Sequence, residues 1–308
     1  MSQSRWATKL FYSSAITQGA IYVIRPMITY RALELDATAS TIGFIAAVYA
    51  LLPVLLALTF GKMVGQIGEG RFVIFGTLFI GVSAGLLMAA DTLTVLAIAA
   101  ALSGIAHLAC MVGGQTMVAL KSPPDQYEEH FGRYTFSASL GHMVGPILAT
   151  LVAGSTGVMP KSTSAAFALA LALAALAMVP VISWRNEPPT VVGRREDSGA
   201  LRAAGKLLKK PGIFAAIFTS LAISSTADIL VVFLPLYGNE NQFSALSIGI
   251  IISIRAATSM ASRFFLGRLS ARFTARQLIT SSNLISIAMC VAMAFAHTPI
   301  TLGAIVFV

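Results

Sequence analysis

The chain has 308 residues, 56% of them hydrophobic and only 11% charged, with a formal net charge of +9 and a mean hydropathy of +0.82. So little charge excludes a water-soluble globular domain. The surplus of bases is spread over several short segments, which argues against a nucleic-acid surface.

Apolar stretches of about 20 residues cross a bilayer core of about 30 Å as helices. They predict spans at 9–31, 41–63, 72–90, 93–120, 132–155, 163–183, 212–237, 245–266 and 276–296. A tenth begins near Pro299 and runs to Val308. That ending leads to the expectation of a longer protein, with about 80–100 further residues at roughly 20 per span plus loops. The first span follows Arg5 and Lys9 and has no small-residue cleavage site, so it reads as a membrane helix rather than a leader. Spans four to six are rich in Ala and Gly, which lets helices approach closely in lipid. Cys110 and Cys290 lie inside apolar runs and give neither a disulfide framework nor metal-ligand spacing.

Of the 21 Lys and Arg, only Arg31 and Lys161 fall in the loops of one side, while Arg25 and Arg255 lie inside spans. The rest share the other side. By the positive-inside rule the N-terminus and the long loop after span six are cytoplasmic, in a plasma membrane of bacterial inner-membrane type. That loop, 184–211, carries Pro188-Pro189 and a run of bases. It divides the chain into 1–183, with six helices, and 212–308, with helices seven to nine and the start of a tenth. Its stretch from Ala200 to Lys210 is open to two readings, a solvated linker or a basic amphipathic helix on the anionic leaflet.

Charge at bilayer depth is costly, about 2.5–3.5 kcal/mol on insertion scales, so such residues mark function or buried pairing. Here they are Arg25, Asp228 and Arg255, with the titratable His107 and His142. Ser14, Gln18, Tyr22 and Arg25 in span one, Ser220, Ser224 and Asp228 in span seven, and Arg255, Ser259 and Arg263 in span eight recur at helical steps. Each set therefore shares one helix face, which turns toward the bundle interior. Arg255 and Asp228 lie at matching depths, which predicts an ion pair between spans seven and eight. That pair is open to two readings, a structural tie or a switch. Arg25 is either a site residue or a side chain reaching the outer surface. The histidines are either site groups or hydrogen-bonded packing residues. Gln18, Arg25, His107, Ser224, Asp228 and Arg255 are the candidate substrate and proton pathway. As the sole carboxylate inside a span, Asp228 is the first candidate for proton coupling, and His107 the second.

A weak repeat crosses the central loop. Gly61-Lys-Met-Val-Gly65-Gln-Ile-Gly68-Glu-Gly-Arg71 follows span two, and Gly267-Arg-Leu-Ser-Ala271-Arg272-Phe-Thr-Ala-Arg276 follows span eight. The first resembles the cytoplasmic Gly-x-x-x-Asp-Arg-x-Gly-Arg signature of the major facilitator superfamily, with Gly65 and Gln66 in place of the Asp and Arg. The second keeps Gly267, Arg272 and Arg276 but has Ala271 for the Asp. Gly141-His-Met-Val-Gly145-Pro146-Ile-Leu-Ala149 resembles that family's Gly-x-x-x-Gly-Pro-x-x-Gly antiporter element, and is otherwise a kink and close-packing site. His107 stands where many of its exporters carry an Arg in span four. The resemblance implies an all-α polytopic membrane fold of two parallel six-helix halves, the second incomplete in this chain. It implies a monomeric secondary transporter rather than an enzyme, needing no cofactor or metal and working in the bilayer on small organic solutes. Proton-coupled export by alternating access is the leading expectation, with proton-coupled uptake of an anionic metabolite as its alternative. A non-transporting receptor or scaffold keeping the fold is the rival from another class, motivated by the missing Asp in both signatures.

Overall fold

A computed structural model of the chain describes residues 3–188, 190, 212–270, 272–293 and 295–307. Among them the helices are α1 (Gln3–Glu34), α2 (Ala39–Ile67), α3 (Glu69–Met88), α4 (Leu93–Lys121) and α5 (Tyr127–Val152). They continue with α6 (Thr163–Val181), a 3-10 turn (Ile182–Asn186), α7 (Ile213–Glu240), α8 (Ala245–Ser270), α9 (Ala275–Met293) and α10 (Pro299–Phe307). Each predicted span coincides with a helix. The largest differences in extent are the earlier starts of α1 and α5. The amphipathic stretch Ala200 to Lys210 lies outside the described residues. Among the described residues six segments, α2 to α6 and the described part of α8, are long and apolar enough to cross a membrane.

Local chemistry sets the helix ends. Thr38, Thr92 and Ser162 each accept a hydrogen bond from the backbone N–H three residues on, capping α2, α4 and α6. Gly68 closes α2 and opens α3 in a single residue at φ 101°. Only glycine takes that backbone at no steric cost.

Packing relies on small residues, because lipid gives no hydrophobic drive between helices. α1 packs against α5 and α6, α3 against α4 and α6, and α2 against α4. A Cβ added to Gly141 would stand 2.5 Å from Ala15 O and Gly19 N, and one on Gly145 would stand 2.8 Å from Gly19 O. These two glycines therefore let α5 touch the α1 backbone.

The two ends of the molecule differ. The basic end holds the N-terminus and the α2–α3, α4–α5 and α8–α9 connections. There Glu69, 3% exposed, accepts from the Thr190 hydroxyl at 2.6 Å and lies 3.7 Å from Lys121 Nζ. Lys121 also reaches Glu187 at 2.6 Å, and Trp184 is buried against Gly70. These contacts dock the segment after α6 onto α3 and α4. At the charge-poor end, Arg31 bonds Glu34, Met88 O and Ser164 Oγ, tying α1 to α3 and α6.

At that same charge-poor end the first six helices meet α7 and α8. Thr29 Oγ1 donates to Val232 O at 2.9 Å. Gly249 of α8 sits against Thr150 and Pro146 O of α5. The Ala245 and Leu246 N–H groups donate to Gly157 O and Ser155 O. Toward the basic end a cavity of about 620 Å³ is lined by Phe11 of α1, Arg133 and Phe136 of α5 and Met260 of α8 among others.

Candidate functional site

The polar stripe of α1 turns inward as expected. Arg25 is 6% exposed, and its Nη2 lies 2.8 Å from Asp228 Oδ1 on α7. Its guanidinium lies 5.5 Å from the Tyr22 ring centre and 5.2 Å from that of Tyr49, a cation–π sandwich. This overturns two expectations. Asp228 pairs with Arg25 across the α1–α7 contact, not with Arg255. Equal depth on neighbouring helices does not decide a pairing; the facing of the side chains does. Arg25 does not reach the outer surface, because the carboxylate and two aromatic faces hold it inside. Arg255 has no ion-pair partner among the described residues, and its Nε is buried without a hydrogen bond.

From Tyr49 the network continues. Its hydroxyl lies 3.0 Å from His107 Nδ1, and His107 Nε2 lies 3.0 Å from Gln18 Oε1. His142 Nε2 reaches the same Gln18 oxygen at 3.2 Å, and its ring stacks on Tyr22 at 3.9 Å. The Gln18 amide nitrogen faces Met111 Sδ at 3.2 Å. An amide oxygen only accepts, so in this arrangement both Nε2 atoms carry protons. A neutral His107 then accepts at Nδ1 from the Tyr49 hydroxyl. Five helices thus share one connected set: Asp228 on α7, Arg25, Tyr22 and Gln18 on α1, Tyr49 on α2, His107 on α4 and His142 on α5.

Close backbone approach places these groups. A Cβ on Gly104 of α4 would overlap the Tyr49 carbonyl oxygen. Its absence lets α2 press onto α4 so that Tyr49 reaches His107 one turn further along. Beside Arg25 lies a void of about 20 Å³ that Tyr49, Thr29 and Val232 also line, enough for one water. Asp228 has a 56% exposed side chain, whereas Arg25 is enclosed.

Of the predicted pathway, Gln18, Arg25, His107 and Asp228 come together. Among the described residues no hydrogen bond or ion pair joins Arg255 to them, and the side chains of Ser220 and Ser224 lie outside the described residues. Sequence reasoning missed Tyr49. Its signal was available: a lone phenol in the apolar run Ala46-Ala-Val-Tyr49-Ala-Leu-Leu, where a hydroxyl at bilayer depth needs a partner. The motif glycines divide. Gly61 has open space around it and Gly68 makes the α2–α3 turn, whereas Gly141, Gly145 and Pro146 are buried at the α1 and α8 contacts. Arg272 is exposed before α9, and the surroundings of Gly267 lie outside the described residues.

Known proteins similar to this chain point to its family and its fold. The Major Facilitator Superfamily model matches residues 10–308. The chain is 26% identical over 196 residues to a Lactococcus lactis subsp. lactis (strain IL1403) protein described as a multi-drug resistance efflux pump PmrA homolog. That match covers 62% of this chain and 47% of the relative, so it spans about half of the relative's length. Among solved structures, a bacterial homolog of the human lysosomal transporter Spinster, crystallised inward-facing and unoccupied, superposes with a TM-score of 0.74. It is 14% identical, and the superposition covers 99% of this chain and 72% of that one. The chain belongs to the Major Facilitator Superfamily, a family of multi-pass membrane transporters for small solutes.

Proposed function

We propose that the chain works as a proton-coupled exporter of small organic compounds, a monomer in a bacterial inner membrane. The first six helices rock against the helices from α7 onward, about the Arg25–Asp228 pair. Under the positive-inside rule the basic end faces the cytoplasm, and the cavity between Phe11, Arg133, Phe136 and Met260 then lies on the inner side. The observation that carries the reading is the pair itself. It is a charge pair at bilayer depth that joins α1 of the first group to α7 of the second, on the same two helices as the Thr29–Val232 bond. Opening the charge-poor end must break it. A proton on Asp228 removes the charge that holds Arg25, so proton arrival and gate release become one event. Export as the direction draws on the Gly141–Gly145–Pro146 element and on the efflux pump relative.

The buried, unpartnered Nε atoms of Arg25 and Arg255 favour a second reading, uptake of an anionic metabolite. Those donors would take a carboxylate or phosphate oxygen.

Purified protein in proteoliposomes decides between the two. With a panel of fluorescent lipophilic drugs and of organic anions, the account expects at least one drug to move against its gradient only when a proton gradient is imposed. Gradient-driven accumulation of an anion and of no drug would replace export by uptake. Movement indifferent to the gradient would remove proton coupling.

A further inference from the structure

Tyr49 stands at the junction between the ion pair and the histidines. Its ring face carries the Arg25 guanidinium, and its hydroxyl meets Nδ1 of His107. The groups facing His107 are Tyr49 from α2, Gln18 and Arg25 from α1, His142 from α5 through Gln18, and Asp228 from α7 through Arg25. On the neighbouring face of α4, Cys110 turns to Thr77 and Val73 O of α3 and takes no part.

Because Gln18 Oε1 fixes the His107 proton on Nε2, Nδ1 is the atom where a further proton would land. That atom is covered by the Tyr49 hydroxyl. Tyr49 in turn is held by Gly104 behind its backbone and by Arg25 on its ring, and Arg25 is held by Asp228.

We propose that Tyr49 is a positioning residue that guards the proton-accepting nitrogen of His107 and ties its availability to the Arg25–Asp228 pair. While the pair is closed, the hydroxyl donates to Nδ1 and keeps His107 in its Nε2–H form. When the pair opens, Arg25 leaves the ring and Tyr49 is free to swing from Nδ1. Proton entry at His107 is thereby confined to the part of the cycle in which the gate has moved. The consequence for transport rests on the proton-coupled reading above; the hydrogen bond and its tautomer do not.

Tyr49→Phe keeps the ring and the cation–π contact and removes only the hydroxyl. Histidine 15N spectra of purified protein in lipid nanodiscs read the tautomer directly, with His107→Gln identifying the resonance. In the wild type the account expects His107 in the Nε2–H form. In Tyr49→Phe the ratio of Nδ1–H to Nε2–H should rise about fivefold, the effect of one hydrogen bond worth about 1 kcal/mol. In liposomes loaded with a pH-sensitive dye and no drug, Tyr49→Phe should leak protons several-fold faster than the wild type. Adding His107→Gln should abolish that excess. An unchanged tautomer in Tyr49→Phe overturns the positioning role whether or not the protein transports. A raised Nδ1–H share with a normal leak, or a leak that survives His107→Gln, overturns the guard.

Discussion

Asp228→Asn is expected to abolish proton-driven accumulation while leaving substrate exchange across the membrane intact. Exchange needs no net proton transfer, so a carrier that has lost its coupling group still turns over with substrate on both sides. The same change removes the charge opposite Arg25, which is 6% exposed and has no other ion-pair partner among the described residues. Stranding a buried charge costs about 3–5 kcal/mol, so Asp228→Ala and Asp228→Asn should both lower thermal stability in detergent. Arg25→Gln combined with Asp228→Asn removes both charges and should restore the melting temperature. The reading as a switch expects this double variant to fold and exchange but not to accumulate. Full gradient-driven accumulation in the double variant would reduce the pair to a structural tie. Because Asp228 pairs with Arg25 rather than Arg255, substituting Arg255 together with Asp228 should not rescue stability.

The second large effect is expected at Gly141. A Leu there drives a side chain into Ala15 O, Gly19 N and the Gln18 backbone, all of which are backbone atoms that cannot turn away. Overpacking of this kind costs about 1–3 kcal/mol and forces the helices apart. Separation of α1 from α5 also removes the Gln18–His142 contact and the Tyr22–His142 stack. Gly141→Leu should lose both accumulation and exchange, where Asp228→Asn loses accumulation alone. Gly61→Ala serves as the contrast, because a Cβ there meets nothing within 4 Å, and its activity should stay near that of the wild type. Wild-type exchange in Gly141→Leu would show that the α1–α5 contact is not needed to assemble the site.

The helices were legible because length and hydropathy alone define a membrane span. The charge asymmetry of the loops separates the two ends without further information. The inward turn of Gln18, Tyr22 and Arg25 was legible for the same reason, since polar groups avoid lipid. The Arg25–Asp228 pairing was not. It joins residues far apart in sequence, and a stripe on one helix does not say which other helix it meets. Periodicity offered Arg255 at equal depth, while the fold brings α7 against α1 at the charge-poor end. Tyr49 stayed hidden for a related reason. Its role depends on Gly104, a residue on another helix whose missing side chain admits the α2 backbone. Glu69 likewise looked like part of a degenerate loop motif. Its buried contacts with Lys121 and Thr190 appear only once α3, α4 and the segment after α6 are assembled.

The proposed cycle requires the two groups of helices to exchange access between the ends, with Arg25–Asp228 holding the charge-poor end shut. Electron-electron distance measurements test it most directly, with spin labels at Asp36 and Asn241 for the charge-poor end and at Arg133 and Arg272 for the basic end, all exposed positions. Cys110 and Cys290 are first replaced by Ser or Ala. For the wild type in nanodiscs a short distance is expected at the charge-poor end and a long one at the basic end. In Asp228→Asn, and in the wild type at low pH, the first distance should lengthen as the second shortens. Distances at both ends that stay fixed in Asp228→Asn and across pH would contradict it.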